Sequence, residues 1–447
     1  MILQFQGSKN VFFLFISTFI IIAISFITII GNVFLDAAAA LYTGALILKV
    51  IFPEVDTMYV IWIMAGIAGF YTIIGGLSSA IYADIIHTIV LIAGSIFLAL
   101  FCLNEIGGWD EFMRRFDDGV WMSLIRPADD PTMPWIAIIV SLPILGFYFW
   151  GNNQVMVQRV LSAKSIDQGR KGVLFVAFIY LFTLFIFIMP GIIARGINLF
   201  GVELPTEIIS GDTLRNTYGV NTNEVYPRLI MKLMPVGMMG LILAAMVSAL
   251  TSALSATLNS VSTLFTMDFY RQMNPKAESK KLVRVGQITS FVVLVIAVLW
   301  APLIGKFASL VSYYQEFISY LAPPIVSAFL LGLFWKRSNA NGAFAGLMVG
   351  LATAVVMMVF KFGFDIVVPI HFLMWAPILL IMSSIVNVIV SLSTARPDET
   401  KVAENTWHKQ LLTDDFNEQK NTPWYKNFYV LAILLVIAAL VEYAIFW

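Results

Sequence analysis

The sequence predicts an all-α, polytopic membrane protein. Of its 447 residues, 60% are hydrophobic and only 12% are charged, and the mean hydropathy is +0.87. Such values lie outside the usage of soluble globular domains. Eleven apolar runs are long enough to cross a bilayer. Their approximate limits are 10–50, 57–75, 77–104, 134–159, 170–198, 227–266, 284–305, 308–335, 341–362, 367–395 and 427–446.

Several of these runs carry signals of their own. The first and the sixth are too long for one upright span, so we expect tilted helices that project into the interface. Gly75-Gly76 is expected to bend the chain between the second and third runs. Pro190-Gly191 and Pro323-Pro324 should break helical hydrogen bonding. The connection 105–133 resembles a short amphipathic interfacial segment.

The charges in the connections predict the orientation. Sixteen of the 27 Lys and Arg residues lie in alternate connections, at 159–171, 271–284, 336–337 and 396–426. The positive-inside rule makes these connections cytoplasmic. The N-terminus Met1 is then inside and the C-terminus Trp447 outside. We expect a plasma membrane protein, most simply of a bacterial inner membrane.

Composition also excludes several classes. The formal net charge is zero without a basic tail, so nothing indicates nucleic acid as a partner. One cysteine and three histidines exclude disulfide frameworks and Cys-rich metal sites. No hydrolytic motif or phosphate-binding loop occurs, so we expect no catalytic residues, no enzymatic activity and no organic cofactor. No obligate protein partner is indicated.

A stripe of small polar residues marks the sixth run. Ser248, Ser252, Ser255 and Asn259 are spaced at i, i+4, i+7 and i+11, which places them on one face of a helix. One interpretation is close helix packing, with hydroxyls bonded to their own backbone. The other is a row of oxygen ligands for a small hard cation. Both interpretations remain open on the residues alone.

Four further polar places lie inside membrane runs, where such groups are costly and by default mark a pathway or a binding site. Each has a purely structural alternative, such as inter-helix bonding, a local cap or an interfacial position. Together they predict a polar internal cavity. They are Asp36, Asp84, Gln154 with Asn152 and Asn153, and Gln315 with Glu316.

Four ordered strings resemble the solute:sodium symporter family, and most closely its sodium/glucose cotransporter branch and the sodium/galactose symporters. They are GGLSSAIYAD (75–84), NQVMVQRVLSAK (153–164), LNSVSTLFTMDFY (258–270) and YLAPPIVSAFLLGLFWKRSNANGAFAGL (320–347). The resemblance covers essentially the whole chain. It implies a LeuT-type bundle of two inverted five-helix repeats around a mid-membrane site.

The resemblance also implies a division of the chain. Residues 1–104 match three helices of a partial first repeat, and 105–133 an extracytoplasmic loop. Residues 134–335 match the second five-helix repeat, and 336–447 match peripheral helices with a cytoplasmic linker at 397–426. The family places about three helices before residue 10. We therefore expect this sequence to be part of a longer transporting unit, the alternative being a loss of the usual site.

The cation site implied by the resemblance is only partly kept. The family's backbone carbonyl and two hydroxyl ligands fall on Ala249, Ser252 and Ala253. Sodium is therefore expected at Ala249 and Ser252, while Ala253 lacks a side-chain oxygen. Asp84 matches the acidic residue near the family's cation path, and His87 replaces a glutamine there.

The solute site implied by the resemblance is altered in a similar way. Gln315 matches a sugar-contacting glutamine and Asp36 a polar position of the sugar cavity. Phe149, beside Tyr148, takes the place of the aromatic residue that closes the site. Tyr180 replaces a lysine that donates to sugar hydroxyls, which removes a charge-assisted donor. A sugar, a polyol or a related hydroxylated compound is the expected substrate class.

These observations predict a sodium-coupled symporter that works by alternating access, with a solute, sodium and the lipid bilayer as its partners. Two alternatives stay open. Ala253 and Tyr180 would suit a non-transporting sensor or an inactive remnant. Asp36, Asp84 and His87 would suit coupling to protons.

Overall fold

The computed structural model describes residues 11–116, 121–130, 133–202, 211–307, 309–364, 366, 370–420 and 422–446. The two chain ends whose sides of the membrane were predicted, Met1 and Trp447, lie outside these ranges. The first half contains α1 (Val11–Gly31), α2 (Ala38–Ile51), α3 (Thr57–Ile106), α4 (Trp109–Phe116), α5 (Trp135–Val140), α6 (Leu142–Phe147), α7 (Gln154–Leu161), α8 (Ile166–Leu181), α9 (Met189–Gly196), α10 (Gly211–Tyr218) and α11 (Val225–Leu233). The second half contains α12 (Val236–Leu264), α13 (Arg271–Met273), α14 (Ser279–Ile304), α15 (Leu310–Phe334), α16 (Ala340–Phe364), α17 (Trp375–Ser393), α18 (Glu399–Asn405), α19 (Lys409–Gln419) and α20 (Phe428–Ile445).

The number of spans is lower than the sequence predicted. Within the described ranges, nine helical segments are long and apolar enough to cross a membrane, or ten if one bent pair counts as a span. The difference lies in α3, where Asp84–Ile106 is long enough to span but Thr57–Phe70 is a shorter apolar helix. The helix also continues through Gly75-Gly76, where a bend was expected. Glycine weakens a helix but keeps its backbone N–H, and α3 contains no proline. Its 50 residues extend about 75 Å at the usual rise.

Neither proline site breaks its helix. The fifth run does bend, by 43°, but the bend lies between Ile166–Leu181 and Leu184–Gly196, several residues before Pro190. Helical backbone continues through Pro190-Gly191, and α15 continues through Pro323-Pro324. The interruptions expected at these prolines are therefore wrong. An unexpected break occurs at Asn153, whose extended backbone starts α7 and whose side chain caps it.

In the described part of the chain, four stretches of π-helix interrupt the α-helices: Asn32–Ala37, Tyr148–Asn152, Leu184–Ile188 and Phe265–Tyr270. Such wide turns are rare and occur frequently at functional sites. The first contains Asp36 and the second contains Tyr148 and Phe149. Both therefore coincide with residues chosen from the sequence.

The centre of the bundle is a continuous apolar core with contributions from α2, α3, α12, α14 and α15. On the connection after α3, the predicted amphipathic segment is present as α4. It buries Phe112 and Phe116 and presents Glu111 to two arginines. These ion pairs lower the pKa of Glu111 to about 2.

Helices α16 and α17 pack through glycines spaced by four residues. A methyl group at Gly342 would lie 2.5 Å from the backbone oxygen of Asn387, and one at Gly346 would lie 2.5 Å from that of Ser383. Small residues at this spacing let two helices approach closely in a membrane, where van der Waals contact drives their association. The contact therefore depends on the absence of a side chain.

We expect Gly342→Ala to lower the free energy of unfolding by about 1–3 kcal/mol, because the added methyl group forces the two helices apart. Thermal unfolding in detergent measures the loss. Gly332→Ala in α15 is the matched control, since nothing lies within 4 Å of the added atom. Equal melting temperatures for both variants would contradict this account of the packing.

Candidate functional site

Asp84 lies on α3, and two other helices supply partners to its carboxylate. Its Oδ1 accepts a hydrogen bond from the Ser252 hydroxyl of α12. Its Oδ2 lies 3.2 Å from a guanidinium nitrogen of Arg159 in α7. A carboxylate at membrane depth is costly unless it is paired, and here it has both a donor and a positive charge. We call Asp84, Ser252 and Arg159 the Asp84 cluster.

The polar stripe of α12 faces protein, and its first two serines bond to α3. Ser248 lies 2.7 Å from Nε2 of His87, one turn from the bond between Ser252 and Asp84. Further along, the hydroxyl of Ser255 and the amide nitrogen of Asn259 are buried without a hydrogen-bond partner among the described residues. The stripe thus offers oxygens to the interior. Local backbone bonding, the simpler interpretation, is wrong for Ser248 and Ser252.

Own-backbone bonding does occur in α12, but on threonines outside the stripe. Thr251, Thr257 and Thr263 each donate to the carbonyl four residues earlier, at 2.9, 3.0 and 2.8 Å. In α12, therefore, these threonine hydroxyls bond to the helix's own backbone, whereas the hydroxyls of Ser248 and Ser252 bond to side chains of α3.

A second group forms around Asp36, which is partly buried in the first π-helical stretch. Tyr314 of α15 donates its hydroxyl to Asp36 at 3.1 Å. The side chain of Asn153 lies near this carboxylate. Tyr148 is buried in the second π-helical stretch. We call Asp36, Tyr314 and Asn153, together with Tyr148, the Asp36 cluster.

One short helix connects the two clusters. Asn153 caps the N-terminus of α7 by accepting a bond from the Val155 N–H at 2.8 Å, and it also lies near Asp36. Arg159, six residues further along α7, pairs with Asp84. At 1.5 Å per residue the two side chains start about 9 Å apart along the helix axis. This segment of two turns therefore pairs with Asp84 at one end and lies near Asp36 at the other.

The remaining predicted solute residues lie around these clusters. Gln315 follows Tyr314 on α15 and is partly buried, and its side chain has no hydrogen-bond partner among the described residues. Phe149 packs edge-on against Trp150 with ring centroids 5.3 Å apart, and Trp150 packs against Tyr180 at 6.2 Å. Tyr180 is 55% exposed. The described contacts therefore group Tyr180 with Trp150 and not with Asp36.

The predicted cation ligands occupy different surroundings on α12. Ser252 is buried, Ala249 is partly buried and Ala253 is exposed. The Ala253 carbonyl accepts a hydrogen bond from Thr257 at 3.0 Å. Of these three positions, only Ser252 reaches Asp84 with a side-chain oxygen.

Sequence reasoning missed two charged partners. Arg159 was counted only as a charge of a cytoplasmic connection, although it follows the polar string NNQ by a few residues. Lys361 was not selected at all, although it pairs with the buried Glu316. A buried carboxylate in a membrane segment requires a partner, so a search for basic residues near helix ends would have found both.

These clusters lie inside a bundle of apolar helices, which defines a multi-pass helical membrane protein with a polar interior. The profile of the Sodium:solute symporter family matches residues 11–350. The chain therefore belongs to the sodium:solute symporter family, and the resemblance seen in the sequence is confirmed. This is a family of transporters and not of enzymes, as the sequence predicted.

Two curated relatives are similar over most of this chain. The sodium/mannose cotransporter SLC5A10 of Bos taurus is 31% identical over 420 residues, which cover 86% of this chain and 69% of that protein. Sodium/glucose cotransporter 1 of Sus scrofa is 32% identical over 408 residues, covering 83% and 61%. The chain thus spans 61–69% of the length of these relatives.

One solved structure has a similar fold. It is a Na+-coupled sialic acid symporter in a substrate-bound, outward-open state, with a TM-score of 0.66 and 21% identity. The likeness covers 85% of this chain and 75% of that one. The predicted fold class, an all-α membrane bundle of the LeuT type, is confirmed.

We expect Ser252→Ala and Ser255→Ala to differ in sodium-free buffer. Loss of the Ser252 hydroxyl removes a donor from a partly buried charge and should cost about 1–3 kcal/mol of unfolding free energy. Ser255 has a buried hydroxyl without a partner, so its replacement by alanine should be neutral or stabilising. Thermal unfolding in detergent compares the two. An equal loss in both variants would contradict the assignment of Ser252 as the partner of Asp84.

Proposed function

We propose that this chain forms the cation and solute sites of a sodium-coupled symporter for a small hydroxylated solute, of the sugar or polyol class. The observation that carries the proposal is the contact of the Asp84 carboxylate with Ser252 on the polar stripe of α12. It places an anionic oxygen and a hydroxyl oxygen together inside an apolar bundle. No catalytic chemistry is required of any residue.

The cation site needs several oxygens close together, because a hard cation exchanges its hydration shell for oxygen ligands. Asp84 and Ser252 supply two, and the unpartnered hydroxyl of Ser255 lies three residues further along the same buried face. Arg159 provides the positive charge while sodium is absent. Sodium would then share the Asp84 carboxylate with Arg159 or displace Arg159 from it, so sodium binding would change the position of α7.

The solute site is proposed at the Asp36 cluster with Gln315. A carboxylate accepts hydrogen bonds, a tyrosine hydroxyl both donates and accepts, and a glutamine amide does both. Asp36, Tyr314 and Gln315 therefore suit a molecule with adjacent hydroxyl groups. The rings of Tyr148 and Phe149 offer flat surfaces for its apolar face. Tyr180 is proposed to influence the solute site only by packing against Trp150.

Coupling is proposed to pass through α7. If sodium changes the contact between Asp84 and Arg159, the displacement reaches Asn153 at the other end of the same short helix. Asn153 in turn lies near the carboxylate proposed to bind the solute. Cation and solute would then each raise the affinity of the other by the same factor, as linkage requires.

Coupling to protons is the second candidate, and the contact between His87 and Ser248 favours it. Histidine titrates near neutral pH more readily than any other side chain. His87 lies about one turn from Asp84 on α3, so a proton on its ring would lie beside the proposed sodium site. A sensor without transport remains the third possibility.

The basic connections 159–171, 271–284, 336–337 and 396–426 are proposed to be cytoplasmic. The protein would then lie in the plasma membrane, or in the inner membrane of a bacterium. Sodium enters from the opposite side under the usual gradient, and solute uptake would follow the same direction.

Uptake of labelled sugars and polyols into proteoliposomes tests the function, with the full-length gene product as the protein. We expect an inward sodium gradient to drive uptake and a pH gradient alone not to do so. Asp84→Asn should reduce sodium-driven uptake by about tenfold or more, the factor that corresponds to 1.4 kcal/mol of lost cation binding. Equal uptake without sodium would reject sodium coupling, and uptake driven by the pH gradient would support the second candidate.

We expect Ala253→Ser to tighten sodium binding several-fold, because it restores the hydroxyl that the family resemblance implies at this position. Ala253 is exposed, so the new hydroxyl requires no repacking. The sodium concentration for half-maximal thermal stabilisation gives the affinity. Ala244→Ser, at another exposed position of α12, is the matched control and should leave it unchanged. The same effect at both positions would reject a ligand role for residue 253.

A further inference from the structure

A second polar place lies away from both clusters, where α16 ends and α17 begins. A cavity of about 220 Å³ opens between these helices and α15. This is smaller than the roughly 300–1,000 Å³ of pockets for drug-sized ligands, so it suits a small metabolite. Its lining combines flat rings with one charged side chain and includes Tyr320, Phe360, Lys361, His371, Phe372 and Trp375.

The charge in this cavity comes from an ion pair between two helices. Lys361 of α16 binds the carboxylate of Glu316 in α15, whose side chain is only 8% exposed. The Lys361 side chain is 34% exposed and lines the cavity, whereas Glu316 is not among the lining residues. An ammonium group has three N–H donors, and the bond to Glu316 uses one of them. Lys361 therefore presents positive charge and free donor capacity to the cavity.

Two further donors lie in the same wall. Tyr320 is 1% exposed, and among the described residues its hydroxyl has no hydrogen-bond partner. The indole N–H of Trp375 likewise has no partner there. The two rings lie 6.4 Å apart and are tilted by 31°. Neither atom is among the fully buried unpartnered ones, so both donors are open to a molecule that enters the cavity.

We propose that this cavity is a binding site for a small carboxylate with a flat apolar body, distinct from the cation and solute sites. The ligand's carboxylate accepts from Lys361 and from the Tyr320 hydroxyl. Its body packs against the rings of Phe360, Phe372 and Trp375. This set of donors recognises an acceptor-rich anion, and ammonium stacking on aromatic rings is disfavoured beside the Lys361 charge.

Glu316 sets the strength of this site, because it competes with the ligand for Lys361. An ion pair already made inside the protein must be shared when a second carboxylate arrives, which adds like-charge repulsion. The wild-type affinity is therefore moderate. Neutralising Glu316 leaves the Lys361 charge intact and removes the repulsion, so ligand binding strengthens.

Benzoate is the probe, because it combines one carboxylate with one flat ring, and benzamide is its neutral counterpart. Titrations use potassium salts in sodium-free buffer, so the proposed sodium site stays out of the measurement. Calorimetry and thermal shift on the detergent-solubilised chain report binding. We expect potassium benzoate to bind, and benzamide and potassium chloride to give no shift at equal concentration. Absence of benzoate binding, or equal binding of benzamide, would overturn the proposal.

Two variants give results of opposite sign. Glu316→Gln should tighten benzoate binding at least fivefold, and Glu316→Gln combined with Lys361→Met should abolish it. The double change leaves no unpaired charge, so the fold is spared the cost of an orphaned ion. The control is Glu224→Gln with Arg228→Met, which neutralises the exposed pair joined at 2.6 Å elsewhere and should leave benzoate binding unchanged. Weaker binding in Glu316→Gln, or retained binding in the double variant, would also reject the site.

Discussion

The pairing of one partly buried carboxylate organises the interior of this protein. Asp84 is compensated by a hydroxyl from α12 and a guanidinium from α7, so three helices meet at a single charge. In hydrocarbon no water replaces a lost partner, and each polar group must be satisfied within the protein. Any rearrangement of these helices must therefore find a new partner for Asp84. A cation is a natural one, because it supplies the positive charge that Arg159 provides in its absence.

The two clusters are joined by the least regular part of the backbone. Asn153 interrupts the helix and begins α7, directly after the π-helical stretch that carries Tyr148 and Phe149. In a continuous helix, the helical periodicity would set the directions of the Asn153 and Arg159 side chains. Here the extended backbone at Asn153 places its side chain near Asp36, while α7 holds Arg159 beside Asp84. Irregular backbone at membrane depth is tolerated where it borders a polar interior.

The sequence predicted the elements that depend on hydropathy and missed those that depend on tertiary pairing. Long apolar runs predicted most helices, and the polar residues within them predicted the Ser248–Asn259 face and the partly buried Asp36 and Asp84. The Gly75-Gly76 bend was wrong, because glycine permits a bend without requiring one. The break at Asn153 was missed although its cap is local, since Asn153 accepts a bond from the N–H of Val155, two residues further along. Arg159 and Lys361 could have been selected as basic residues near helix ends, but only the folded chain shows which carboxylate each one meets.

The bundle contains two kinds of helix contact that differ in how they respond to change. Between α16 and α17 the backbones touch through glycines, and an added methyl group would strike a carbonyl oxygen at 2.5 Å. Such a contact has one geometry and resists sliding. Between α3, α7 and α12 side-chain oxygens, charges and an unpartnered hydroxyl lie beside apolar contacts such as that of Gly94 with Ile242. Polar partners of that kind can be exchanged for an ion without loss of packing, so alternating access would be concentrated there while α16 and α17 stay together as one unit.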